Sequence, residues 1–306
     1  MSENRILIIG AGPLGLGYGG ALSLNGNDVS FLVRERQYEK LSAGGVKLQR
    51  ENSDKEPRVA FPAILRKIDR ADYGMIFICT RYEGLKGAVE EVLKIWSSPP
   101  PTVVFCPVWS REAVFRNELF SDLSIFAPGI AALMKDDVVM YQHRLSAVGQ
   151  LGLSRPDTAK RVAKLFSDAG ISVKYSSNVI RYLRFYYAAG FPLTSALARK
   201  GFRLEELLKD REMLSLAYDG IREGLAAASK MEGGVFAPPR LFVNLFPSGI
   251  ASWLMSVLPL AKSPFMKEMI ETHFRKISFQ TETLMNELIR FGEGKGMKCD
   301  ALRSLM

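Results

Sequence analysis

Residues 5–20, RILIIGAGPLGLGYGG, decide how this chain is read. Ile6 to Ile9 is a continuous apolar run stopped by glycine, the pattern of a strand buried on both faces of a parallel sheet. Pro13 to Asn25 reads as a helix, since proline is tolerated in the first turn, where its missing N–H costs nothing. Between them Gly10, Ala11, Gly12, Pro13, Leu14 and Gly15 make a GxGxxG loop leading from strand to helix, and that context gives the spacing a physical meaning. The first glycine permits a tight turn, the second lets backbone approach a pyrophosphate, and the third lets helix and strand pack closely. Phosphates then face the free N–H groups at a helix N-terminus. The loop predicts dinucleotide binding, and Gly19 and Gly20 are assigned to helix–sheet packing.

The end of the second strand, DVSFLV (28–33), selects the nucleotide. An acidic residue there would hydrogen-bond the ribose hydroxyls of NAD. Here Val33 is followed by Arg34, Glu35 and Arg36. Arg34 is a planar, permanently charged donor suited to a 2′-phosphate, and Arg36 can assist it. Glu35 is the competing ribose ligand. The expected cofactor is NADP(H).

Working outward, strands are expected over 45–49, 58–62, 74–79 and 102–106, with a helix from about Glu83 to Trp96. This alternation predicts a parallel, doubly wound sheet. Residues 124–127, 138–141 and 147–151 read as a β meander, followed by a helix over 155–169 and a strand over 171–175. After Ser177 the β signal vanishes. Helical patterns run over 179–200, 204–231, 250–260 and 266–291, separated by Gly and Pro clusters. The expectation is an α/β Rossmann-type, NADP-binding domain over 1–176 and an all-helical substrate or dimerisation domain over 177–306.

The length of 306 residues suits two domains, and 47% hydrophobic with 24% charged residues excludes a disordered chain. The net charge is +9, but the basic residues are scattered, and the longest runs are the pairs Arg66-Lys67 and Arg199-Lys200. No nucleic-acid partner is expected. A small-molecule anionic substrate beside an anionic cofactor explains the charge, because positive clefts raise on-rates. The N-terminus does not read as a signal peptide, and no 18-residue apolar run exists, so no membrane partner is expected. Cys79, Cys106 and Cys299 are far apart, without a CxxC or Cys/His cluster. That pattern argues against a metal and for a reducing, cytoplasmic compartment.

From Gly10 to Leu48, through GAGPLGLGYGGALSLNGNDVSFLVR and LSAGGVKL, the chain resembles the ketopantoate reductase (2-dehydropantoate 2-reductase) family. The resemblance implies NADP dependence, a Rossmann domain with a helical second domain, and contact of Arg34 with the 2′-phosphate. The substrate half departs from the family. Its lysine after the fourth strand corresponds to Arg81 in CTRYEG, where Thr80 is counted with the cofactor contacts, and its next asparagine corresponds to Pro107. Its catalytic lysine and two asparagines, counted back from Pro192-Leu193-Thr194, correspond to Leu183, Tyr187 and Phe191, and a late glutamate to Gln280. Losing the donor that meets a developing oxyanion costs on the order of a hundredfold in rate or more. Ketopantoate itself is therefore not the expected substrate.

A rebuilt site needs new donors. Arg81, at a strand's carboxyl end, can hold a carboxylate bidentately. Arg181, Arg184 and Tyr187 recur at helical spacing; Arg184 can polarise a carbonyl and Tyr187 can donate a proton. Tyr82, Trp109 and Phe191 would make the cleft aromatic. His273 and Glu271, two residues apart on a helix, do not face each other, and His143 falls in the expected meander, so neither histidine is assigned a catalytic role. The expected activity is NADPH-dependent hydride transfer to a 2-oxo-acid-type carbonyl in an interdomain cleft. Two alternatives stay open. CPVWSRE (106–112) and LFPSGIASWL (245–254) look like segments of opine-type dehydrogenases, which reduce an imine. The missing lysine suits a catalytically inactive NADP-binding sensor. Long helices from 204 onward can support a homodimer.

Overall fold

The computed structural model describes residues 2–51, 53, 55–106, 108, 120, 122–143, 145–151, 156–234, 243–256 and 263–306. The chain divides into two compact units, Met1–Ile180 and Arg181–Met306.

The first unit runs β1 (Ser2–Ile9), α1 (Pro13–Leu24), β2 (Asp28–Leu32), α2 (Glu35–Gly44), β3 (Val46–Arg50), β4 (Arg58–Ala60), β5 (Ala63–Leu65), β6 (Tyr73–Ile78), α3 (Tyr82–Ile95) and β7 (Thr102–Val104). It continues with β8 (Leu123–Ala127), β9 (Ile130–Lys135), β10 (Val138–His143), β11 (Ser146–Gln150), α4 (Pro156–Asp168) and β12 (Val173–Tyr175). The main sheet has the order β5-β2-β1-β6-β7-β8-β11-β12. It is parallel from β5 through β8, and β11 pairs antiparallel to β8. The strand order reverses between β1 and β6, and such a reversal opens the crevice where doubly wound folds bind ligands.

A smaller sheet, β4-β3-β10-β9, covers the other side of α1. Two adjacent glycines let both sheets approach that helix. A Cβ at Gly19 would lie 2.2 Å from Ile8 Cδ1, and one at Gly20 would lie 2.9 Å from Leu48 Cδ1. The packing role expected for these glycines is what the geometry shows. Beneath the sheet, Tyr18, Phe77, Phe105, Phe126 and Phe166 form one buried aromatic cluster, with Phe105 stacked on Phe126 at 4.4 Å.

The expected meander is corrected. β8 and β11 complete the main sheet, while β9 and β10 form a hairpin in the smaller one. Asp136 and Asp137, both with left-handed φ (46° and 68°), make its two-residue turn.

The second unit is helical: α5 (Val179–Arg199), α6 (Leu204–Lys209), α7 (Arg211–Met231), α8 (Ser248–Ser256), α9 (Pro264–Lys276), α10 (Ser278–Gly294) and α11 (Asp300–Leu305). The helix expected over 204–231 is broken at Asp210, whose carboxylate leaves the helical path to accept from Met213 N at 2.9 Å. The one expected over 266–291 breaks at Ile277. Pro192 lies inside α5 and leaves the Ala188 carbonyl without its intrahelical donor. α7 closes on that point through Gly224, where a Cβ would sit 2.6 Å from Ala188 O. Among the described residues, no helix is long and apolar enough to cross a membrane.

Candidate functional site

Three strand ends build the site in the first unit, at the carboxyl edge of the parallel sheet. At the end of β1, Gly10 has φ +114°, and a Cβ there would lie 2.6 Å from Cys79 O. A Cβ at Gly15 would lie 2.2 Å from Gly10 O. The fold itself demands both glycines. Gly12 differs: its backbone (φ −80°, ψ 174°) suits any residue, and a Cβ there meets nothing within 4 Å. Among the described residues, no contact explains a glycine at that place. It caps α1 without a side-chain hydrogen bond, Pro13 opens the helix, and no acidic residue lies in the first turn. The helix thus presents free N–H groups and its positive end. Leu14 packs on the core, and Gln37 Nε2 donates to Ala11 O at 2.8 Å, tying the loop to α2.

At the end of β2, Arg34 is the N-cap of α2, and Arg34, Glu35 and Arg36 are all exposed. Among the described residues, neither Arg34 nor Arg36 makes an ion pair, whereas Glu35 pairs with Arg66 at 2.9 Å. Arg66 follows β5, which pairs with β2, and its guanidinium lies 4.1 Å over the Tyr38 ring. Sequence reasoning treated Arg66 only as half of a basic pair. The available signal was a basic residue just past the strand neighbouring β2.

At the end of β6, Thr80 and Arg81 flank the same crevice. Cys79 N donates to Ile9 O at 2.8 Å, joining this turn to the glycine loop. The Thr80 hydroxyl oxygen is buried, with no hydrogen-bond partner among the described residues. Such an atom is costly to leave unpaired, and a ligand oxygen or hydroxyl can satisfy it. Arg81 is the N-cap of α3, half exposed, and pairs with Glu83 at 3.0 Å. Burial pushes the Cys79 and Cys106 thiols well above their ordinary range, which keeps them protonated and poor nucleophiles.

Arg184 and Tyr187 lie in the second unit, on α5. Arg184 is ion-paired with Glu232, which Arg181 also approaches at 3.5 Å. Tyr187 stacks on Phe191 at 5.2 Å and meets Tyr186 edge-on. Leu183 and Phe191 are buried, at 5% and 1% exposure, so neither place offers a polar group. Gln280 is also buried. Glu232, 48 residues beyond Arg184, was not foreseen. Glu271 accepts from Leu204 N at 2.8 Å and caps α6 rather than serving His273. Burial, with Lys276 adding to it, pushes the His273 imidazole down to about 4. Pro107 and Trp109 lie outside the described residues, as does the side chain of His143. The structure thus brings Gly10 to Gly15, Arg34, Arg36, Thr80 and Arg81 to one edge of the first unit, and places Arg184 and Tyr187 on one helix of the second.

A family model described as "Ketopantoate reductase PanE/ApbA" matches residues 6–106, which include the glycine loop, Arg34 and Arg81. Over these residues, a third of the chain, the sequence is similar to the ketopantoate reductase family. The chain is 32% identical over 89 residues to the "Uncharacterized oxidoreductase YkpB" of Bacillus subtilis, a stretch covering 29% of this chain and only 28% of that relative. Among solved structures, a 2-dehydropantoate 2-reductase from Geobacter metallireducens is similar over 98% of this chain and 97% of its own, with TM-score 0.75 and 17% identity. A D-mandelate dehydrogenase, solved with NADH and anilino(oxo)acetate, is similar over 98% and 95%, with TM-score 0.74 and 15% identity. At such identities these structures establish the fold: the ketopantoate reductase architecture of an α/β unit and a helical unit extends through the whole chain.

Proposed function

We propose that this protein is an NADPH-dependent oxidoreductase acting on a carbonyl of the 2-oxo-acid type, other than ketopantoate. The observation that carries the nucleotide half is Gly12, a glycine that neither its backbone angles nor any neighbour among the described residues requires, at the start of α1. A pyrophosphate accounts for it, because only a glycine lets phosphate oxygens reach the N–H groups there. The other residues fit the same ligand. Arg34 and Arg36 are charged donors for a 2′-phosphate, and Thr80 Oγ1 is a buried hydroxyl awaiting a partner. Bound NADPH supplies the hydride that reduces a carbonyl carbon.

The chain's own residues supply the rest. Arg81 takes the substrate carboxylate in a bidentate pair by exchanging it for Glu83, an exposed and therefore weak partner. Arg184 polarises the carbonyl oxygen and Tyr187 protonates the alkoxide. The free thiols support a reducing, cytoplasmic setting. A homodimer formed by the helical unit completes the proposal.

One observation favours a second reading. Arg184 is already neutralised by Glu232, and Leu183 and Phe191 stand buried where the family has polar catalytic groups. That arrangement suits a nucleotide sensor without turnover. NADPH oxidation with a panel of 2-oxo acids, with and without primary amines, separates the readings. Turnover with an oxo acid alone supports the reductase. Turnover only with an amine identifies imine reduction of the opine type. Tight NADPH binding with no turnover identifies the sensor.

A further inference from the structure

Glu35 and Arg66 lie where an NADP site and an NAD site differ. Glu35 stands one residue after Arg34 and has the chemistry of a ribose-diol acceptor. Left alone, its negative charge would also oppose a 2′-phosphate on Arg34. It is not alone: Arg66 Nη2 lies 2.9 Å from Glu35 Oε1. The register explains how a residue 31 positions away arrives there. β5 pairs in parallel with β2, Leu32 beside Leu65, and Val33 N donates to Leu65 O at 3.0 Å. Arg66 therefore leaves the sheet beside the start of α2, one strand spacing from Arg34. Tyr38, from the first turn of α2, holds the guanidinium plane at 4.1 Å from its ring centre. The ion pair is exposed on both sides, and such pairs contribute little to folding. Stability does not account for so placed an arginine.

We infer that Arg66 is a specificity-determining residue of the nucleotide site: stacked on Tyr38, it neutralises Glu35 and adds a second strand's guanidinium to Arg34 for the 2′-phosphate. This rests on the NADP reading above. Arg66 does two things at once. It neutralises Glu35, the acidic group that would favour NADH, and it raises the formal charge of the cluster from +1 (Arg34, Glu35 and Arg36) to +2, which favours a phosphate dianion.

The test titrates the full chain with NADPH and with NADH, by nucleotide fluorescence, for the wild type, Arg66→Ala and the double variant Arg66→Ala/Glu35→Gln. The wild type is expected to prefer NADPH. Arg66→Ala is expected to weaken NADPH about tenfold or more, while NADH binds as well as before or tighter, because the freed Glu35 can accept from the ribose hydroxyls, and the melting temperature of the ligand-free protein stays put. Adding Glu35→Gln is expected to recover part of the lost NADPH affinity, which a merely structural role for Arg66 would not do. Equal weakening of both nucleotides, or no change in NADPH affinity, overturns the assignment of Arg66 while leaving the NADP reading intact. A wild type that does not prefer NADPH overturns both.

Discussion

The two units treat their polar side chains in opposite ways. At the carboxyl edge of the first unit, Arg81 and Glu35 are held by exposed ion pairs, and other candidate groups are uncommitted. Arg34 and Arg36 form no ion pair among the described residues, Thr80 Oγ1 has no partner there, and Gly12 leaves open space before the start of α1. In the second unit several charged groups already have work. Asp210 caps α7, Glu271 caps α6, Glu223 accepts from Ala301 N and Leu302 N at the start of α11, and Glu232 holds Arg184 and Arg181. A buried or fixed polar group that the protein does not satisfy points to a ligand, and one that it satisfies points to architecture. By that measure the proposed nucleotide site rests on groups that are still open, and the proposed roles of Arg81 and Arg184 require exchanging partners already in place.

The largest expected effect tests the open side of this contrast. Gly12→Val should weaken NADPH binding by on the order of a hundredfold or more, since its side chain fills the pyrophosphate's place. The ligand-free melting temperature should stay nearly unchanged, because a Cβ at this place lies more than 4 Å from every described neighbour. A variant that unfolds instead would make Gly12 architectural, like Gly15. Next in size, Arg34→Ala should weaken NADPH by about tenfold to a hundredfold while sparing NADH, as loss of a charge-assisted contact to one phosphate requires. Equal loss for both nucleotides would move Arg34 away from the 2′-phosphate.

The committed side is tested by Glu232→Ala. Removing the carboxylate leaves Arg184 and Arg181 without their shared partner, and should cost about 1.5–3 kcal/mol of stability in urea unfolding. No loss would mean that the pair is as replaceable as an exposed one. The smallest effect is a pH dependence. His273 is held neutral in the fold, with its pKa near 4 against an ordinary 6.5. Between those values the unfolded chain binds a proton that the folded chain refuses. Its contribution to stability is therefore full above about pH 6.5 and falls progressively as the pH drops toward 4. Urea midpoints at pH 7 and pH 5 should differ in that sense, and His273→Gln should flatten the difference.

The sequence made local features legible and distant ones not. The glycine loop, β1, α1 and β2 are consecutive, and their pattern carries its own geometry. Sheet membership is not local: β8 and β11 join one sheet and β9 and β10 another, although all four follow one another closely in the chain. β5 is three residues long, and α2, ERQYEKLSAG, is largely polar with no fully buried residue, so neither announces itself by hydrophobic pattern. The breaks at Asp210 and Ile277 lack any Gly or Pro signal. In the candidate site, the places of the glycines at the β1–α1 turn and of Arg34 at the end of β2 follow from local spacing. Gln37 on Ala11, Arg66 on Glu35 and Glu232 on Arg184 join residues 26, 31 and 48 positions apart, and only the folded register brings them together.

The central claim is that the open edge of the first unit holds NADP(H). The most direct measurement is a fluorescence titration of the wild-type chain with NADPH and NADH, side by side at one ionic strength. The account predicts saturable binding of both, with NADPH at least about tenfold tighter, reflecting the 2′-phosphate on arginine. No binding of either nucleotide would contradict it, and would reduce the glycine loop to a packing device between α1 and the sheet.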